Sequence, residues 1–276
     1  MKRRSQRSTR AQGPGPRQSR WFLLAAAGFA AALLLVGRLP SSGAVDGAHY
    51  HAVLIDQLSA EIHNPVFRAA VAADIERFGL SLEVYEGEAV DVDLYRSVGE
   101  LDCGLLLIRS HSGMLELEEA GEQKTTALFT NEPYAQYKHV AEQLNQRVLI
   151  VRPFEGDRKL TFGVTPSFFR KSMRGQLPNT IVVVAGCSIL ADTDLAQALI
   201  DRGASAVISW DRSVGLQHAD EATALLVQHL FAGKMTVAEA TLSAIAAVGP
   251  DPEFGAVLTY YPTTAGDRTA RQLLAG

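Results

Sequence analysis

Two apolar runs constrain the fold most. The first is Gly104-Leu105-Leu106-Leu107-Ile108-Arg109-Ser110-His111-Ser112-Gly113, and the second is Thr180-Ile181-Val182-Val183-Val184-Ala185-Gly186-Cys187-Ser188. Short aliphatic runs bounded by turn residues are the pattern of strands buried on both faces, which requires a sheet covered by helices. Each run ends in a small polar turn that carries one side chain suited to nucleophilic chemistry, His111 in one and Cys187 in the other. The carboxyl ends of strands in an open α/β sheet are where ligands and catalysis gather. The pattern therefore predicts a Cys-His hydrolase.

The stretches between and around these runs alternate strand and helix patterns, which predicts an α/β domain with a mostly parallel central sheet. Residues 51–56 form the first expected strand and residues 80–85 the second. Asn64-Pro65 opens a helix, with Asn as cap and Pro in the first turn, and Phe78-Gly79 ends it. A helix is expected at 91–98 before the His111 strand. Residues 116–178 read as an insertion shaping a pocket, with strands at 125–130, 148–151 and 159–164 and a short helix at 167–173. After Cys187 come a helix to about Asp201, a strand at 204–210, helices at 219–231 and 237–248, and a closing strand at 255–261.

The amino terminus has a different character. The first twenty residues contain seven Lys and Arg and no acid, and their Ser, Gln, Gly and Pro content predicts a disordered leader at 1–20. Residues 21–37 are all Ala, Leu, Phe, Val, Trp or Gly, at the short end of the roughly 17–25 residues that span a bilayer. The basic residues ahead of this run predict a signal-anchor helix with a cytoplasmic amino terminus. A linker at 38–49 would then lead to an extracytoplasmic domain at 50–276. The competing expectation is a secreted protein, cleaved near Ser42-Gly43-Ala44.

Without those seven leader charges, 19 basic residues face 30 acidic ones, a net charge of −11. That balance gives no electrostatic footprint for nucleic acid, whereas the basic leader suits anionic lipid headgroups. Two cysteines, Cys103 and Cys187, are too few for a disulfide scaffold, although the two could pair with each other. His49 and His51 lack a third ligand for zinc. Neither a P-loop nor a G-x-G-x-x-G or G-x-S-x-G motif occurs. No metal or cofactor is expected.

A thiol becomes a useful nucleophile when a base takes its proton, and a histidine on a neighbouring strand end can do so and later protonate the leaving amine. Ala185, Gly186 and Ser188 are small enough to admit a substrate backbone beside Cys187. Backbone N–H groups at Ser112-Gly113 and at Cys187 are placed to receive an oxyanion.

The two blocks resemble the caspase-like cysteine peptidases of clan CD, which place a histidine after one central strand in a His-Gly-type turn and a cysteine after the next. Residues 195–210, a helical segment leading through Gly203-Ala204 into a strand ending at Trp210, resemble the segment after the cysteine in CHAT and gingipain-like domains. The resemblance covers roughly residues 53–261. It implies a three-layer caspase-haemoglobinase-like fold and endopeptidase activity on a peptide or protein substrate. His111 would be general base and acid, Cys187 the nucleophile, and the amides of Gly113 and Cys187 the oxyanion donors. This chain departs from the pattern in having Ser112 directly after the histidine. It also has Ala185 where clostripain-like and metacaspase enzymes carry a specificity acid, which leaves Asp211 as the next candidate and Trp210 as a pocket residue or a packing residue beneath it. Two alternatives are a catalytically silent caspase-like domain that binds a peptide or partner at the membrane, and a small-ligand sensor of flavodoxin-like topology. The sensor would leave both His111 and Cys187 unexplained.

Overall fold

The computed structural model describes residues 51–117, 124–153 and 159–276. The buried runs form the strands they predict. Strand β1 (His51–Asp56) is succeeded by helix α1 (Pro65–Phe78), β2 (Ser81–Glu86), α2 (Val92–Ser97) and β3 (Leu105–Arg109). The Asn64 side chain caps α1 by accepting from the Phe67 N–H at 3.0 Å. Gly79 closes the helix at φ +108°, a conformation that only glycine adopts without strain.

The middle of the chain gives β4 (Ser112–Glu116), β5 (Lys124–Pro133), α3 (Val140–Leu144), β6 (Val148–Val151), β7 (Thr161–Val164) and α4 (Pro166–Lys171). The remainder gives β8 (Ile181–Ala185), α5 (Asp194–Ile200), β9 (Ala206–Trp210), α6 (Leu216–Val227), α7 (Val237–Val248), β10 (Leu258–Tyr261) and α8 (Ala270–Ala275). Thr236 and Glu239 form a reciprocal capping box on α7, which satisfies two of the backbone donors left open at a helix start.

A six-stranded sheet runs in the order β10-β9-β8-β3-β1-β2. Its strands are parallel except β10, which pairs antiparallel with β9. Period-two alternation divides its side chains between two cores. Leu54, Leu107, Val183 and Ile208 pack with Phe67 and Val71 of α1 and with residues of α6, α7 and α8. Val53, Ile108, Val184 and Val207 pack with Tyr95 of α2, Phe168 of α4 and Leu195 of α5. The structure is thus mixed α/β with a mostly parallel central sheet and helices on both faces.

The 116–178 insertion contains the three strands and the short helix expected of it, as β5, β6, β7 and α4. It belongs to a second, four-stranded antiparallel sheet of order β4-β5-β7-β6, whose first strand begins one residue after His111. Phe162 and Val164 of β7 and Leu128 of β5 reach into the core on the α2 side, so the insertion is anchored by burial. Among the described residues no helix is long and apolar enough to cross a membrane. The expected leader, anchor and linker (1–20, 21–37 and 38–49) lie outside the described residues.

Candidate active site

Strands β3 and β8 are parallel neighbours, with Arg109 opposite Ala185 at the carboxyl end. The Ser110 N–H carries the pairing one step further by donating to the Ala185 carbonyl at 3.2 Å. His111 and Cys187 each lie two residues beyond that last aligned pair, so both turns emerge at the same edge of the sheet. They are also stitched together, because the Ser112 hydroxyl donates to the Cys187 carbonyl at 2.8 Å. A Cβ at Gly186 would lie 2.7 Å from the Ser110 carbonyl and 2.5 Å from Ser112 Oγ. Only glycine permits this approach. Gly186→Ala is expected to lower stability by about 1–3 kcal/mol through overpacking, read from the urea midpoint, and to push the two turns apart.

The His111 turn is held from below by a buried amide pair. Gln57 Oε1 accepts from the His111 backbone N–H at 2.9 Å, and Gln57 Nε2 donates to Asn131 Oδ1 at 2.7 Å. Asn131 Nδ2 is fixed in turn by the carbonyls of Gln57 and Gly87, at 2.9 and 2.8 Å. The imidazole stacks obliquely on Phe129, with centroids 6.2 Å apart, and its Nε2 lies 3.8 Å from a Glu61 carboxylate oxygen. Burial, and then the nearby Arg109 charge, holds the His111 pKa below the usual histidine value. At neutral pH the ring is therefore a neutral base.

Cys187 is partly buried and its thiol is engaged by the β9–α6 loop. The thiol donates to the Val214 carbonyl at 3.6 Å and accepts from the Val214 N–H at 3.5 Å. Burial pushes the thiol pKa up, the Val214 contact opposes the rise, and the Asp251 carboxylate adds to it. Both shifts favour the uncharged forms, thiol and neutral imidazole, over a thiolate and an imidazolium.

The two cysteines are both free, and the register explains why. Cys103 precedes β3 by two residues, whereas Cys187 lies two residues beyond β8. With Leu105 opposite Ile181, they sit roughly eight strand positions apart, about 26 Å at the usual rise. A disulfide needs Cα atoms within about 7 Å, so the pairing of these cysteines considered from the sequence is incompatible with the fold. Cys103 is buried in the core, and burial pushes its pKa to about 12.

The other expected site residues occupy distinct places. Gly113 lies in β4 opposite Ala127, next to the Ser112–Leu128 pair, and the Phe129 N–H donates to the His111 carbonyl at 3.0 Å. Antiparallel hydrogen bonds alternate, which turns the Gly113 N–H toward β5 and the Ser112 N–H toward the sheet edge. The expected oxyanion donor at Gly113 is thereby engaged in the ladder. Trp210 ends β9 and is 1% exposed, with its ring 5.5 Å from that of His218. Asp211 secures the loop before β10, accepting from the Val257 N–H at 2.8 Å and from Arg212 at 3.2 Å. His51 starts β1 at the opposite end of the sheet, and His49 lies outside the described residues. No group of His, Cys, Asp and Glu among the described residues is arranged to hold a metal ion.

Sequence reading missed Glu61, Gln57 and Asn131. It also missed Arg109, which is fully buried with two carboxylates. The position of Arg109 inside a strand end, two residues before His111, was its one signal. Neither the protein-family models nor the curated proteins compared with this chain give a match, so the functional reading rests on the site itself.

Proposed function

We propose that this chain is a caspase-like cysteine endopeptidase of three-layer caspase-haemoglobinase-like fold, tethered to a membrane through residues 21–37 with its catalytic domain extracytoplasmic. The carrying observation is that the His111 and Cys187 turns leave adjacent parallel strands at the same edge and are stitched by the Ser112–Cys187 hydrogen bond. In the proposed reaction His111 takes the Cys187 proton as the sulfur attacks the scissile carbonyl carbon. The amides of Cys187 and Ser112 receive the oxyanion. His111 then passes the proton to the amine, which leaves as the C–N bond breaks, and water hydrolyses the resulting thioester. The Glu61 carboxylate, 3.8 Å from Nε2, favours the imidazolium that forms in passing. No cofactor is required, and the substrate is a peptide or protein.

One observation favours a second reading. The thiol hydrogen-bonds Val214 at rest, as it would in a catalytically silent caspase-like domain that binds a partner. A panel of peptidyl acyloxymethyl ketones varied at P1 separates the two. Labelling of Cys187 that depends on His111 supports the peptidase, and labelling indifferent to His111 supports the silent domain.

The resting ionisation gives a pH prediction. Iodoacetamide requires only thiolate, so its reaction with Cys187 is expected to climb through the alkaline range without a neutral plateau, because burial raises the thiol pKa. Peptidyl labelling requires the neutral imidazole. It is expected to fall only as pH drops below the usual histidine value of about 6.5, because the His111 pKa is lowered. A neutral plateau with iodoacetamide would reveal a preformed ion pair instead.

A further inference from the structure

Arg109 occupies an unusual position for a charged side chain. It ends a strand buried on both faces, its side chain is 0% exposed, and its partners Asp56 and Asp220 are 2% and 8% exposed. Four hydrogen bonds engage four of the five guanidinium N–H donors. Nε and Nη2 donate to the two oxygens of Asp220 at 2.7 and 2.9 Å, and Nη1 donates to Asp56 at 2.8 Å and to the Ile62 carbonyl at 3.0 Å. Asn64 Nδ2 completes the cluster by donating to Asp220 at 2.7 Å, and the Phe67 ring lies 5.7 Å from the guanidinium carbon.

The connections reach both halves of the site. The Ile62 carbonyl fixes the segment carrying Glu61, whose carboxylate lies beside the His111 ring. Asp220 belongs to α6, which begins two residues after Val214, the residue that grips the Cys187 thiol. Arg109 itself is two residues from His111 on the same chain. A planar, bidentate fork sets orientation as well as distance, which a point charge does not.

We propose that Arg109, with Asp220 and Asp56, is the positioning element of the dyad: one buried guanidinium sets the Glu61 segment against His111 and the α6 entry against Cys187. This inference rests on the peptidase reading and adds to it a group that touches neither substrate nor thiol. Misplacement of a reacting group by about 1 Å costs on the order of 100-fold in rate, and that is the loss expected when the fork is removed.

The test uses the full chain and two variants. Arg109→Lys keeps the charge and loses the fork. The triple variant Arg109→Met, Asp56→Leu, Asp220→Leu replaces the cluster with apolar side chains, a change that buried ion clusters often tolerate without loss of stability. For each variant that melts cooperatively, labelling by the best peptidyl acyloxymethyl ketone is compared with alkylation by iodoacetamide across pH, beside wild type and His111→Ala. The expected result is an approximately 100-fold loss of peptidyl labelling, a flattened acid limb, and iodoacetamide rates within a few-fold of wild type. Folded variants that keep the wild-type peptidyl rate and pH profile overturn the positioning role alone. Equal labelling of wild type and His111→Ala overturns the dyad, and this proposal with it.

Discussion

Cys187→Ala is expected to abolish both peptidyl labelling and hydrolysis, and His111→Ala to lower kcat/KM by about 10²- to 10⁴-fold, the usual range for a general acid-base group. The two losses differ in kind. Without the sulfur no thioester can form, whereas without the imidazole the thiol must ionise unaided from a pKa that burial has raised. The iodoacetamide reaction of His111→Ala is therefore expected to persist at high pH while its peptidyl reaction does not. Cys103 supplies an internal control, since it is 1% exposed with its pKa pushed to about 12. Native Cys187→Ala should take up no label, and should take up one equivalent once denaturant opens the core. Native labelling that survives in Cys187→Ala would move the reactive thiol elsewhere and remove the basis for a peptidase.

The central sheet was legible because its strands carry an unmistakable pattern. Ile181-Val-Val-Val-Ala185 and Leu105-Leu-Leu-Ile108 are apolar on both faces, and only a sheet covered on both sides satisfies such runs. Asn64-Pro65 marked a helix start because capping is a local interaction. The insertion was less legible. Strand β4 reads Ser-Gly-Met-Leu-Glu, without clean alternation, and is specified by pairing with β5 rather than by its own composition. At the site, the two turns were visible as turns, but the residues that hold them were not. Asp56 and Asp220 lie 53 and 111 positions from Arg109, and Asn131 lies 74 from Gln57. A single sequence gives no signal for partners so far apart, and for Arg109 only its place at the end of an apolar strand, two residues before His111, was visible. Gly186 carried a faint signal as a small residue beside the cysteine. Its reason is steric contact with Ser110 and Ser112 across the strand pair, which is a tertiary property.

Trp210→Ala is expected to cost about 3–5 kcal/mol of unfolding free energy, measured by urea denaturation, while Trp210→Phe is expected to stay within about 1.5 kcal/mol of wild type. The indole is among the largest fully buried side chains and belongs to the core shared by β9, β10, α6 and α7. Its ring backs His218, whose Nε2 lies 3.2 Å from the Gly249 carbonyl at the end of α7. Truncation would open a cavity under the loop that carries Asp251. The phenyl ring fills most of the same space and removes an indole N–H that is buried without a hydrogen-bond partner among the described residues. Leaving such a donor unsatisfied costs about 1–3 kcal/mol, so its loss offsets part of the lost contact area. The same substitution decides how Trp210 serves the site. A ring that packs beneath the His111 and Cys187 turns can become phenyl without changing the rate of Cys187 labelling, provided the fold melts as before. A ring that contacts substrate cannot, and a labelling defect in a fully folded Trp210→Phe would place it in the pocket wall. With 1% of its surface exposed, unchanged labelling is the expected result.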